Sequence, residues 1–171
     1  MARRPDTGEE LRNGKVGELL VRGPSCLSEY YRDAEATRTA IDKHGWFRTG
    51  DLLLRTDANE FAFISRIKDM LKVGGENVAA AEIEGHILTH PKVHMVAVVS
   101  APDEYYGEVP AAFIEPSPGM NLSEQEIIDF CKGVIANFKI PKYVRLIQEW
   151  PMSGTKIKKF ELRDMIRDTI K

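Results

Sequence analysis

The sequence predicts a mixed α/β (α+β) chain in which a small sheet with flanking helices follows a β-rich segment. Three observations predict it. From about Arg66 onward, apolar runs of strand length alternate with amphipathic helical runs, the pattern of helices layered on a sheet. Before about Ser65 the texture is turn-rich, with short β runs. No Ser/Pro-rich stretch separates the two textures, so the join within residues 66–69 is short.

The elements follow in order. Residues 17–23 read as a short strand closed by Gly23-Pro24. Asp33 precedes residues 34–41, a short helix with Asp33 as its N-cap and His44-Gly45 as its end. Residues 52–54 and 61–64 flank Thr56-Asp57-Ala58-Asn59-Glu60, a hairpin pattern with polar turn residues. Residues 79–89 have helical spacing, with Ile83 and Ile87 on one face. Residues 93–100 are an apolar run of a buried strand, and residues 110–115 are another. Residues 122–136 read as an amphipathic helix opened by Ser123, with Glu126 three residues later completing a capping box. Residues 143–147 form a third strand and residues 160–170 a closing helix. There is no internal repeat.

Composition excludes several classes. A net charge of -2 provides no basic excess for nucleic acid. No apolar stretch is long enough to span a bilayer. Met1-Ala2-Arg3-Arg4-Pro5-Asp6 has charge but no apolar run after it, so it is not a secretory signal. Cys26 and Cys131 form no CxxC pair and no zinc spacing, which fits two reduced thiols and a cytoplasmic location.

Three runs carry candidate chemistry. Trp46-Phe47-Arg48-Thr49-Gly50-Asp51 joins an aromatic pair to a tight Gly-Asp turn. The Asp51 carboxylate has two acceptor oxygens suited to a vicinal diol such as a ribose. Alone, the same string also fits a capped turn between helix and strand. The run from Arg66 to Val78 contains Gly74-Gly75, whose backbone can approach a ligand closely, with a helix expected to aim its N-terminus at that loop. It lacks the GxxxxGK[ST] spacing of a P-loop, and alone it fits a plain turn. In Pro151-Met152-Ser153-Gly154-Thr155-Lys156-Ile157-Lys158-Lys159-Phe160, a lysine in a mobile loop can deliver one positive charge; a solvated basic turn is the alternative.

Taken together, in this order and spacing, the three runs resemble the C-terminal motifs of the adenylate-forming superfamily. That superfamily holds acyl-CoA synthetases, peptide-synthetase adenylation domains and firefly luciferase. The resemblance covers nearly the whole chain, from Gly14-Lys15-Val16-Gly17-Glu18-Leu19 onward. It implies that residues 1–65 are the end of a large ATP-binding domain and residues 66–171 a mobile lid domain. It implies Asp51 and Arg66 as nucleotide-binding residues, Lys68 as the hinge and Lys156 as the catalytic lysine of adenylation. It implies that Gly74, Gly75, Glu76 and Asn77 line the approach of the CoA thiol. The substrates implied are a carboxylic acid, ATP with Mg2+, and CoA, with no metal site of the chain's own.

Lys-Val-Gly-Gly-Glu-Asn-Val followed by Glu82-Ile83-Glu84 is most similar to acyl-CoA synthetases. Lys72 falls where luciferases place a lysine, but lysine there is also common in the synthetases. The family usually places glycine directly before the late lysine; here Thr155 precedes Lys156 and the interval from Pro151 is one residue short. Matching from the Ile157-Lys158-Lys159-Phe160 side still selects Lys156, with Lys158 and Lys159 as the competing assignments. The family's phosphate loop and acyl-pocket motifs have no match here, so an inactive isolated chain and a missing N-terminal partner domain are expected. The rival readings are a stand-alone, non-catalytic lid acting in trans and a luciferase-like or peptide-synthetase fragment. His86 and His90, four apart, and His94 read as surface histidines rather than zinc ligands. Tyr105-Tyr106-Gly107-Glu108 reads as structural.

Overall fold

The structure, a computed structural model, describes residues 2, 3, 9–57 and 60–170. The expected turn residues Ala58 and Asn59, and Met1, Arg4, Pro5 and Asp6 of the charged N-terminal run, lie outside the described residues. The chain divides into two units, Met1–Lys68 and Asp69–Lys171.

The first unit is a four-stranded antiparallel sheet in the order β1-β2-β3-β4 with one short helix. Its elements are β1 (Ala2–Arg3), β2 (Val16–Val21), α1 (Ala34–Ala40), β3 (Phe47–Arg55) and β4 (Phe61–Arg66). Leu11, Leu20, Leu52 and Leu53 are its buried apolar residues among those described. Asp33 caps α1 as its sequence position predicts, accepting the Ala36 N–H at 2.9 Å. The helix ends at Ala40 rather than at His44-Gly45. Ile41 is already extended and bridges to Phe47. Asp42 then organises the reversal by accepting the N–H groups of His44 and Trp46 at 2.8 and 3.0 Å.

The second unit contains β5 (Met70–Val73), β6 (Glu76–Ala79), α2 (Ala80–Ile87), β7 (Val93–Asp103), β8 (Gly107–Pro116), α3 (Glu124–Cys131), β9 (Tyr143–Leu146), β10 (Met152–Ser153), β11 (Lys156–Ile157) and α4 (Lys159–Ile170). The sheet runs β6-β5-β8-β7, with β9 joined parallel to β8. Strands β7 and β8 are apolar on both faces because both faces are covered. Val96, Val98, Ala112 and Ile114 pack with Ile83 and Ile87 of α2 and Ile127 of α3. Ala97, Val99, Ala111 and Phe113 pack with Leu162 and Ile166 of α4. The architecture is the mixed α/β class that the alternating pattern predicts.

Helix α3 is shorter than its expected span of 122–136, ending at Cys131, with Gly133 left-handed just beyond it at φ 74°. Ser123 does cap it, accepting the Glu126 N–H at 3.2 Å. The Glu126 carboxylate lies instead on Lys92, at 2.8 Å, and on His90, at 3.5 Å.

Candidate functional site

In the first unit the Thr49-Gly50-Asp51 string is not a turn between helix and strand; it lies inside β3 as a bulge. Leu52 pairs with Glu18 and Arg48 with Leu20, so three residues of β3 oppose the single Leu19 of β2. Gly50 makes this possible with φ 73°. The Thr49 hydroxyl donates to Leu19 O at 2.9 Å and accepts the Asp51 N–H at 3.1 Å. Glu18, 3% exposed, fixes the bulge from below. Its Oε2 accepts both Arg48 Nε at 3.1 Å and Nη2 at 2.9 Å, and its Oε1 accepts the Gly50 N–H at 3.2 Å. Sequence reasoning missed Glu18 and Arg48 as positioning residues. The available signal was a glutamate directly before the apolar run Leu19-Leu20-Val21, a charge at a strand position that must be paired if buried.

The bulge presents Asp51 opposite Arg66, its cross-strand partner on β4. Two residues predicted from distant motifs are therefore neighbours. Arg66 Nε is 3.2 Å from Asp51 Oδ1, an ion pair by distance. The alignment fails as a hydrogen bond, and this buried oxygen has no hydrogen-bond donor among the described residues. An unsatisfied carboxylate oxygen is costly and marks a place where a donor belongs.

In the second unit, Gly74-Gly75 is the two-residue turn of the hairpin β5–β6, with Val73 paired to Glu76. Both glycines are left-handed, at φ 58° and 90°, which is the type I′ hairpin pattern. Glu76 and Asn77 follow directly on β6, both exposed. The expected helix N-terminus does not face this turn. Helix α2 begins after Ala79, at the opposite end of β6, about 10 Å of strand away. Gly74 N–H donates to Tyr106 O at 2.9 Å, and a Cβ on Gly74 would meet the Tyr106 ring at 3.0 Å. Glu108, read as structural, accepts the Lys72 N–H at 2.8 Å. Gly74→Ala should therefore destabilise the second unit by about 1–2 kcal/mol in chemical denaturation. Gly85→Ala, inside α2 with open space around it, should stabilise it by about 0.5–1 kcal/mol.

Beside this turn, Asp103 accepts from Lys142 Nζ at 2.6 Å and from the N–H groups of Tyr106 and Tyr105 at 2.8 and 2.9 Å. The Lys142 hydrogen bond first, then these N–H groups, hold its carboxyl down at about 2. A lowered carboxylate stabilises the fold above its unfolded value near 3.8, and this contribution disappears as pH falls from about 4 to 2. Urea midpoints measured across that window should fall less steeply in Asp103→Asn than in the parent sequence.

Lys156 lies on β11, in a hairpin rather than a mobile loop: Ser153 pairs with Lys156 and Met152 with Ile157. Gly154 has φ 59° while Thr155 does not share its left-handed backbone, the pattern of a type II′ turn. The departure Gly154-Thr155 before the lysine is thus a tight two-residue hairpin turn. Lys156 is exposed and has no ion-pair partner among the described residues. Its two competitors are occupied: Lys158 pairs with Glu161 at 2.8 Å and Lys159 with Glu84 at 2.7 Å. Lys68 is the middle residue of a 3-10 turn, Ile67–Asp69, at the boundary of the two units.

The histidines are not all at the surface. His90 is 7% exposed, edge-on to Phe130, and its Nδ1 accepts the Lys92 N–H at 3.3 Å, while His86 stacks on the same ring. No group of three or more His, Cys, Asp or Glu that could hold a metal ion occurs among the described residues. Both cysteines are free, and burial pushes the Cys131 thiol up to about 11. No helix among the described residues is long and apolar enough to cross a membrane.

The chain is similar to known proteins over most of its length. Residues 82–156 match the AMP-binding enzyme C-terminal domain model. A mitochondrial medium-chain acyl-CoA ligase of Danio rerio is 41% identical over 164 residues, which is 94% of this chain and 27% of the ligase. ATP-bound MatB from Rhodopseudomonas palustris, at 32% identity, superposes with a TM-score of 0.91 over 99% of this chain and 34% of that one. Apo MatB, matched over the same shares, gives 0.69. The chain corresponds to the C-terminal portion of adenylate-forming, AMP-binding enzymes. It spans about 30% of the length of these relatives.

Proposed function

We propose that this chain supplies the ribose half-site and the moving C-terminal domain of an ATP-dependent acyl-CoA synthetase. The observation that carries this reading is Asp51 Oδ1, a buried carboxylate oxygen opposite Arg66 and without a hydrogen-bond donor. A ribose hydroxyl would donate to the exposed part of this carboxylate, whose side chain is 28% exposed, and Arg66, half exposed, would remain beside the nucleotide. In the first step the oxygen of a carboxylic acid attacks the α-phosphate of ATP, and pyrophosphate leaves. Lys156 would stabilise the charge that develops there. In the second step the CoA thiol attacks the acyl carbonyl and AMP leaves, with Gly74, Gly75, Glu76 and Asn77 lining its approach. Mg2+ would enter on the nucleotide.

Movement about Lys68 would present these two faces in turn. The family resemblance would place the phosphate and acyl sites outside this segment, so the acid would be set elsewhere.

The test is a chimera in which this chain replaces the matching segment of the Danio rerio medium-chain ligase. It should exchange ATP with pyrophosphate and form the thioester of a medium-chain acid. Asp51→Asn should raise the KM for ATP about 10-fold or more, the worth of a hydrogen bond to a charged acceptor. A folded chimera without exchange activity would sink the reading. Exchange by the 171-residue chain alone would sink the half-site description.

A further inference from the structure

We infer that Glu84 is a positioning residue for Lys156, acting through Lys159. The inference rests on the assignment of Lys156 to adenylation. A two-residue-stranded hairpin such as β10–β11 has little stability of its own. Its tip must be held by what flanks it. On the upstream side, Trp150 Nε1 donates to Glu115 Oε2 of β8 at 2.6 Å. At the base, Lys158 N–H donates to Pro151 O at 2.8 Å. On the downstream side, α4 begins at Lys159, three residues after Lys156, which limits the reach between them to about 10 Å.

Lys159 is where this helix is fastened. Its Nζ lies 2.7 Å from Glu84 Oε1, with the two side chains 22% and 19% exposed. The same Oε1 accepts the Val98 N–H at 2.7 Å. Val98 belongs to β7, the edge strand, so Glu84 serves a backbone donor that has no strand neighbour on that side. One carboxylate on α2 therefore joins the edge of the sheet to the start of α4. One turn later, Arg163 reaches Asp69 at 3.2 Å, so α4 is tied at two points on one face.

The charge pattern supports a dedicated role. Lysines in the first turn of a helix oppose its dipole, and α4 opens with Lys159 directly after Lys158. Glu161 in the same turn complements the dipole, so what singles out Lys159 is its pair with Glu84. Glu84 offsets the charge of Lys159 and leaves Lys156 as the exposed ammonium of the run.

The experiment uses the full chain for geometry and the chimera for chemistry. In the full chain, Glu84→Gln and Lys159→Gln should each lower hydrogen-exchange protection at Lys158 N–H about tenfold. Protection at Ile83, in the core, should stay unchanged. In the chimera, both variants should lower kcat for pyrophosphate exchange about 10- to 100-fold with KM for ATP unchanged. Thioester formation from supplied acyl-adenylate should persist. The double variant should be no worse than either single one, and Lys159→Arg should restore the rate. Lys159→Gln leaves the Glu84–Val98 bond intact, so it tests the link even if Glu84→Gln unfolds. Equal loss of both half-reactions, or an additive double variant, overturns the inference. If Lys156→Ala abolishes exchange while Glu84→Gln and Lys159→Gln do not change it, this inference alone fails. If Lys156→Ala leaves exchange intact, the underlying assignment fails and takes the inference with it.

Discussion

Lys156→Ala should lower ATP–pyrophosphate exchange in the chimera about 100- to 1,000-fold and leave thioester formation from supplied acyl-adenylate nearly intact. The size follows from preorganisation. A charge held in place before the reaction needs no rearrangement when negative charge develops on the phosphate oxygens. The hairpin provides that placement: Lys156 is paired with Ser153 across a glycine turn, and the strand continues into α4 within three residues. The neighbouring lysines do not offer a substitute. Lys158 and Lys159 are engaged by Glu161 and Glu84. Lys158→Ala should therefore change exchange by less than about threefold, since an exposed i,i+3 pair contributes well under 1 kcal/mol. The selective loss of one half-reaction is the diagnostic feature. A lysine that merely supported the fold would depress both steps together, and that outcome would reject the assignment.

The sequence made the layers legible because their signals are long. Residues such as Ile83, Ile87, Leu162 and Ile166 repeat at helical spacing, and all four are fully buried in the two core clusters. The Val96-Ala97-Val98-Val99 run reads as a strand covered on both sides, and helices lie on both its faces. Two short hairpins were not legible. Hairpins β5–β6 and β10–β11 have strands of four and two residues, too short for alternation to register beside their glycine turns. Of the candidate site, the sequence motifs named Asp51 and Arg66, which the structure pairs, but not the residues that support them. Glu18, Arg48 and Glu84 act through contacts to residues 30, 32 or 75 positions away. No local pattern announces such partners. The bulge at Thr49-Gly50-Asp51 was misread for a related reason: a glycine with positive φ suits a turn and a bulge equally, and only the register against Glu18 and Leu20 distinguishes them.

Lys68→Pro should preserve one half-reaction in the chimera and slow the other by about 100-fold or more, a figure set by how steeply rate falls with misplacement. The residues on each side of Lys68 are anchored in their own units. Arg66 is the last residue of β4 and pairs with Asp51; Asp69 opens the second unit and pairs with Arg163. A rotation between such anchors must be absorbed by the dihedrals of Ile67 and Lys68. Proline fixes φ near -65° and crowds the residue before it. The φ of a 3-10 turn falls about there, so the ring suits position 68 itself but disfavours the helical backbone of Ile67, which biases the segment towards one arrangement. Lys68→Ala keeps the dihedrals free, so both half-reactions should continue in the parental proportion. That contrast separates a pivot from a charge that contacts substrate. If Lys68→Pro supports both steps unchanged, the pivot lies at another residue; if Lys68→Ala also stops one step, the ammonium rather than the backbone is what matters at this position.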